Sequence, residues 1–318
     1  MKKRFLLILT TLSLWSFTSA QVNNMPDTYL YAQKDTCSLY LDIHRPAEGV
    51  STVFEGINKP TILYVFGGGF MTGARNEPYL LKWFKILNEN GYTVVSIDYR
   101  LGMKGYKMGK GLIGLAQSTN PFYLSQQMGV EDVYSAISYL AAHPELGIDI
   151  DNIVASGNSA GAIISLACAY ELANGVAQGV PENFRLKGVI SFAGGIISLT
   201  GAPKLKTAPC PILFFHGMKD NAVAYDHIDA FGKGMWGSSY LVKQMKKEGY
   251  NYTIYRYVDR AHDVAAYMDL LWAEERAFLE RNIMQQIPSI IDATVDNTSL
   301  PVWKEWGALT PQQMYNGK

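Results

Sequence analysis

The 318-residue chain carries 28 basic and 28 acidic side chains and is 48% hydrophobic, 18% charged and 12% aromatic. Such a makeup belongs to a folded globular protein and excludes a disordered one. Its 29 glycines, 13 prolines and three cysteines exclude collagen-like, Pro-rich and disulfide-scaffold classes, and the charge balance gives no footprint for a nucleic-acid partner.

At the amino end, Lys2, Lys3 and Arg4 precede an apolar run from Phe5 to Phe17 that closes on Thr18, Ser19 and Ala20. This is the pattern of a secretory signal peptide over residues 1–20, and the run is well short of the roughly 20 residues a membrane-spanning helix needs. Cleavage after Ala20 removes three basic residues and no acidic one, leaving a net charge of −3. No cysteine stands at the cleavage position for lipid attachment, so release to a periplasm or the exterior is expected. Cys37, Cys168 and Cys210 would then meet an oxidising compartment, where three cannot all pair, and none is expected to act in catalysis.

Residues 21–318 are expected to form a single domain. Leu30–Ala32 and Leu39–His44 read as an opening hairpin. Thr61–Phe66 is a compact apolar strand ending in three glycines, and Tyr79–Asn90 a helix stopped by Gly91. A strand follows at Thr93–Tyr99, then a glycine-rich loop from Gly102 to Gly114, and a helix near Ser125–Ala142. Strands are expected at Ile153–Ser156, Gly188–Ala193, Ile212–His216 and Tyr252–Val258, and helices at Ala160–Ala173, Ser239–Glu248 and Val264–Arg281. Repeated strand–helix units give an α/β fold with a mostly parallel central sheet and helices on both faces. Runs such as Ile62-Leu63-Tyr64-Val65-Phe66 are continuously apolar, as strands buried on both faces must be. The carboxyl-terminal segment 287–318 contains Trp303 and Trp306, too aromatic for a free tail, and is expected to pack on the body.

Ligands in such sheets sit beyond the carboxyl ends of the strands, and three strand ends carry chemistry. The strand at Ile153–Ser156 runs into Gly157-Asn158-Ser159-Ala160-Gly161 and then a helix. This Gly-x-Ser-x-Gly turn raises a serine hydroxyl above the sheet, and its flanking glycines keep bulk away from the tight backbone. The helix amino terminus beyond it favours a negative oxygen. Phe66-Gly67-Gly68-Gly69-Phe70 closes the earlier strand. It lacks the Gly-Lys-Ser/Thr or Gly-x-Gly-x-x-Gly pattern of a phosphate loop, and gains meaning from the serine turn some 90 residues later.

On these motifs the chain, from Thr61 through His262, resembles an α/β-hydrolase of the carboxylesterase/lipase kind, with a cholinesterase-like glycine loop. Phe66 stands where many lipase-like members have histidine before the glycines. The resemblance implies that Ser159 is a nucleophile and that the N–H groups of Gly68, Gly69 and Ala160 form an oxyanion hole. It also implies a chain order of serine, acid, then histidine. Downstream histidines are His216, His227 and His262, and nearby acids are Asp220, Asp226 and Asp259. Asp220 and His262, each on a loop just past a strand, fit that order; His216 ends a buried strand and reads as structural, and His227 as a surface residue. In the Asp98-Tyr99-Arg100 run, Asp98 or Arg100 is expected to pair near the sheet end.

Phe70 and Trp236, with Tyr106, Phe122 and Tyr123, are candidates to line a substrate cleft. No cofactor is expected, and no His-x-x-x-His or Cys-x-x-Cys pair suggests a metal. The expected activity is that of a secreted serine carboxylic-ester hydrolase acting on a small-molecule or carbohydrate ester. Insertions confined to Gly102–Pro121 and Gly194–Pro209 favour short acyl groups, acetyl or feruloyl groups on polysaccharide among them. A serine exopeptidase on the same fold and a non-catalytic binding protein are the alternatives.

Overall fold

The computed structural model describes residues 25–35, 37–303 and 310–316; the expected signal peptide lies outside them. Fourteen strands are described: β1 (Asp27–Lys34), β2 (Cys37–His44), β3 (Val53–Phe54), β4 (Ile57–Asn58), β5 (Thr61–Val65), β6 (Val94–Ile97), β7 (Ile153–Asn158), β8 (Gly188–Phe192), β9 (Gly195–Ser198), β10 (Ile212–Gly217), β11 (His227–Ala230), β12 (Lys233–Gly237), β13 (Tyr252–Tyr257) and β14 (Ile290–Val295). Nine of them form one sheet in the order β1-β2-β6-β5-β7-β8-β10-β13-β14. Only β2 runs against its neighbours; every pairing from β6 to β14 is parallel. The chain steps from β5 outward to β6, then crosses back over β5 to β7. The switch point of the sheet is therefore between β5 and β7, where a crevice opens at their carboxyl ends.

Every residue of β5, β6, β7, β8 and β10 is buried, as their continuous apolar runs require. The edge strand β14 instead alternates between exposed and half-buried residues along Ile290-Ile291-Asp292-Ala293-Thr294-Val295. This strand went unread in the sequence, because an edge strand with two polar residues has no apolar run to announce it.

The helices are α1 (Pro78–Glu89), α2 (Gly111–Ala142), α3 (Ala160–Asn174), α4 (Ser238–Lys247), α5 (Trp272–Phe278) and α6 (Pro311–Asn316). Two differ from expectation. Helix α2 starts near Gly111, inside the stretch read as loop, and runs through Pro121. Gly114 is there for contact, since a Cβ on it would lie 2.0 Å from the carbonyl carbon of Gly109. The expected helix Val264–Arg281 is broken into 3₁₀ turns at His262–Ala266 and Met268–Leu270, the short α5, and a π-helical turn at Leu279–Met284. Asp263 tightens its start by accepting the Ala261 N–H and the Tyr267 hydroxyl, both at 2.7 Å.

Above the carboxyl edge, β11, β12 and β9 form a second antiparallel sheet. It is built from the segments that follow β8 and β10, so it covers the side of the molecule on which the crevice opens.

Candidate active site

Ser159 sits between β7 and α3 with φ +51° and ψ −119° and is 3% exposed. A non-glycine residue in this left-handed region is strained by about 1–3 kcal/mol and persists only when its surroundings hold it. Here the Ser159 N–H donates to Phe192 O at the end of β8, at 2.9 Å, and Ser159 O accepts the Ile163 N–H of α3 at 3.0 Å. The two motif glycines are required by space. A Cβ on Gly161 would stand 1.9 Å from Val65 O, and one on Gly157 would stand 2.4 Å from the Gly161 carbonyl carbon. The elbow is thus pressed onto the end of β5, where the glycine loop begins.

Three side chains from three loops meet in a buried line. His262 Nε2 lies 2.9 Å from Ser159 Oγ, and His262 Nδ1 lies 2.8 Å from Asp220 Oδ2. The other oxygen of Asp220 accepts the backbone N–H groups of Ala222 and Val223 at 2.8 and 3.0 Å. Burial pushes the Asp220 carboxyl upward, but the facing His262 and His216 outweigh it and hold the group well below the usual carboxylate range. An imidazole whose Nδ1–H is held by a carboxylate presents Nε2 as a proton acceptor toward the serine hydroxyl. The other candidates lie apart: Asp259 pairs with Lys219 at 2.6 Å, and Asp226 with Lys243 and His227, all at the surface.

Several supporting residues carry no motif. Gly217, at the end of β10, lets the two acid- and histidine-bearing loops touch, since a Cβ there would meet Ala261 O at 2.2 Å. The loops are then joined by Lys219 N–H to Arg260 O and Met218 N–H to Tyr257 O, each 2.9 Å. Asn158, beside the nucleophile, accepts from Tyr64 Oη at 2.7 Å and donates to Ala265 O at 2.9 Å, tying the elbow to the turn that begins at His262. His216 is structural, as expected, with Nδ1 2.8 Å from Ser238 Oγ and Nε2 3.1 Å from Val223 O; it also lies 3.3 Å from Asp220 Oδ2, so it backs the carboxylate. Apart from those His216 makes to Asp220 and Val223, these contacts join residues tens of positions apart, and no local pattern marks them.

In the glycine loop, Gly68, Gly69 and Phe70 all have positive φ, at +114°, +63° and +59°. Gly68 O accepts the N–H groups of Met71 and Thr72 at 3.0 and 3.1 Å, turning that carbonyl back into the loop. The N–H groups of Gly68, Gly69 and Ala160 make no hydrogen bond to another described residue outside regular structure, which leaves them available to a ligand oxygen. Asp98 and Arg100 each find a partner: Asp98 accepts from Arg75 at 2.7 Å, and Arg100 pairs with the buried Asp132 at 2.9 Å.

Phe70 and Trp236 are placed otherwise than the cleft reading expects. Phe70 is 2% exposed and Trp236 is 3% exposed. The left-handed backbone at Phe70 sends its ring into the core, and Trp236 is held within β12, opposite Ile196 of β9. Neither offers an open face for stacking. Cys168 is buried in α3 with its thiol pushed well up by burial. Cys210, pushed up to about 12 by burial, lines a cavity of about 300 Å³ at the amino ends of β8, β10 and β13, the edge of the sheet opposite Ser159. Among the described residues no group of three or more His, Cys, Asp or Glu could hold a metal ion, and no helix is long and apolar enough to cross a membrane.

A family model described as Carboxylesterase family matches residues 14–180, more than half of the chain and the stretch that holds both the glycine loop and the serine elbow. The chain belongs to the carboxylesterase family. Among relatives, Secreted lipase 5 of Gibberella zeae is 29% identical over 142 residues, covering 45% of this chain and 24% of its own length. The Chlorogenic acid esterase of Aspergillus niger is 28% identical over 170 residues, covering 52% of this chain and 28% of its own length. The matched stretch thus spans about a quarter of these relatives. In structure, the apo form of Thermogutta terrifontis esterase 2 aligns with a TM-score of 0.56 at 21% identity, covering 81% of this chain and 96% of that one. The fold is accordingly the α/β-hydrolase fold.

Proposed function

We propose that this protein is a secreted serine carboxylic-ester hydrolase whose reacting residues are Ser159, His262 and Asp220. The observation that carries the reading is the unbroken line from Ser159 Oγ through His262 to Asp220, at 2.9 and 2.8 Å, lying at the sheet's switch point beside the glycine loop. Ser159 Oγ attacks the ester carbonyl while His262 Nε2 takes its proton. The developing alkoxide is met by the N–H groups of Gly68, Gly69 and Ala160, and His262 returns the proton to the leaving alcohol. Water then repeats the sequence on the acyl-enzyme. Asp220 keeps His262 in the tautomer that accepts from serine and stabilises the imidazolium when it forms.

The amino-terminal Lys/Arg-then-apolar pattern supports secretion. Short acyl groups are favoured because the insertions after β8 and β10 are spent on the small β9–β11–β12 sheet, leaving little chain to enclose a long acyl tail. A relative named Chlorogenic acid esterase supports a small ester substrate, and acetyl or feruloyl groups on polysaccharide are the substrates we propose to test.

The test is kcat/KM for wild type and Ser159→Ala on p-nitrophenyl acetate, butyrate, octanoate and palmitate, on acetylated xylan and methyl ferulate, and on aminoacyl anilides. Ser159→Ala should lower turnover by roughly four to six orders of magnitude with little change in Tm. Wild-type activity in that variant would end the hydrolase reading. A rise in efficiency toward palmitate with no release from xylan or ferulate would end the substrate reading, and preference for anilides would make the protein a peptidase.

A further inference from the structure

The carboxyl-terminal helix α6 lies against the glycine loop. Tyr315 is 5% exposed, and its hydroxyl donates to Gly69 O. Its ring packs edge-on against Phe122 of α2, with centroids 5.1 Å apart. The next residue, Asn316, brackets the backbone of Met108, accepting its N–H at 3.0 Å and donating to its carbonyl at 2.8 Å. A buried phenol needs a partner for its hydroxyl, and this one is met by a loop 246 residues away in sequence.

The loop depends on being held. Gly68, Gly69 and Phe70 are three successive residues with positive φ; the glycines can leave that conformation at little cost, and Phe70 is strained in it. The carbonyl of Gly68 is held from within by Met71 and Thr72, and that of Phe70 by the Met103 N–H at 2.9 Å. Between them, the Gly69 carbonyl has Tyr315 as its partner. Turning the Gly69–Phe70 peptide would relieve Phe70 and carry away the Gly69 carbonyl, freeing the Gly68–Gly69 unit beside it to reorient with its N–H; the phenol opposes that turn.

From this geometry we infer that Tyr315 is a positioning residue for the oxyanion hole, so that the last helix of the chain completes a site whose reacting residues all lie in the body. The inference rests on the ester-hydrolase reading and adds to it a residue that touches neither substrate nor reacting atoms. It predicts an effect on the transition state with little effect on ground-state binding.

The test uses Tyr315→Phe, which keeps the ring and removes the hydroxyl, and Asn316→Ala, which keeps the phenol and removes its anchor. Three readouts are compared in the full chain: kcat and KM on p-nitrophenyl acetate, Ki for a trifluoromethyl ketone whose hemiketal oxygen occupies the oxyanion hole, and amide exchange of residues 67–71. A loosened donor should weaken catalysis less than the 10²–10³-fold loss of an absent one. Tyr315→Phe is therefore expected to lower kcat about tenfold with KM within about twofold, to weaken the ketone by a similar factor, and to speed exchange in the loop. Asn316→Ala should move all three in the same direction by less, and it decides the matter should Tyr315→Phe fail to fold. A fall in Tm with kcat, Ki and loop exchange unchanged would overturn the inference. A wild type inert on every ester would instead remove the hydrolase reading, with loop exchange still reporting whether Tyr315 holds the glycines.

Discussion

Asp220 shows how much a single residue's role depends on its partners. Its carboxylate is buried, which by itself would favour the neutral acid, yet His262, His216 and two backbone N–H groups surround it. The folded-state value is depressed, so the native protein holds the anion while an unfolded chain takes up a proton near pH 4. The stabilisation is therefore present above about pH 4 and is lost as pH falls through the folded value. Urea unfolding of wild type and Asp220→Asn should show wild type losing its advantage progressively as pH falls below about 5 toward the depressed folded value, and a difference independent of pH would contradict this. Activity of the same variant should fall about four orders of magnitude, because the amide holds the wrong imidazole tautomer. Ser159, Gly157 and Gly161 were legible in the sequence, since the strained turn demands those residue types in a contiguous pattern. Tyr64 and Asn158 were not legible in their roles, because what each touches is remote in the chain.

Among the elements, the elbow between β7 and α3 makes its own prediction. Gly161 has no room for a methyl group, with Val65 O at 1.9 Å from the site a Cβ would take, whereas Gly175 at the end of α3 has φ +67° and nothing within 4 Å. Gly161→Ala must push β5 away from α3 and should lose about 3 kcal/mol or more of stability. Gly175→Ala carries only the left-handed backbone penalty of about 1 kcal/mol. Equal denaturant midpoints for the two variants would refute the contact argument. The buried parallel strands were legible because burial on both faces demands unbroken apolar runs. The first half of α2 was not, because Gly109, Gly111, Gly114 and Pro121 read locally as breakers, whereas Gly109 and Gly114 permit a close backbone contact and Ser125 Oγ donates to the Pro121 carbonyl at 2.8 Å within the helix.

On the scale of the whole molecule, the proposed reacting groups come from loops after β5, β7, β10 and β13, and the parallel sheet brings those loops to one edge. The chemistry proposed there is carried by side chains and backbone N–H groups alone. Hydrolysis of p-nitrophenyl acetate should therefore be unchanged after dialysis against EDTA; loss of activity that added divalent metal restores would show a ligand set in the working enzyme.

The amino-acid sequence by itself determined the α/β class, the elbow with its serine and the glycine loop, because each is written in contiguous residues whose steric or hydrophobic demands are local; the order of acid and histidine came from the resemblance to a family. The tertiary structure alone decided that Asp220 stands between two histidines, that Asn158 ties the elbow to the His262 turn, that Phe70 and Trp236 are core residues, and that Tyr315 reaches Gly69. Those outcomes depend on which loops a nine-stranded sheet brings together, and contacts spanning tens to hundreds of residues leave no periodicity or spacing in the chain from which to read them.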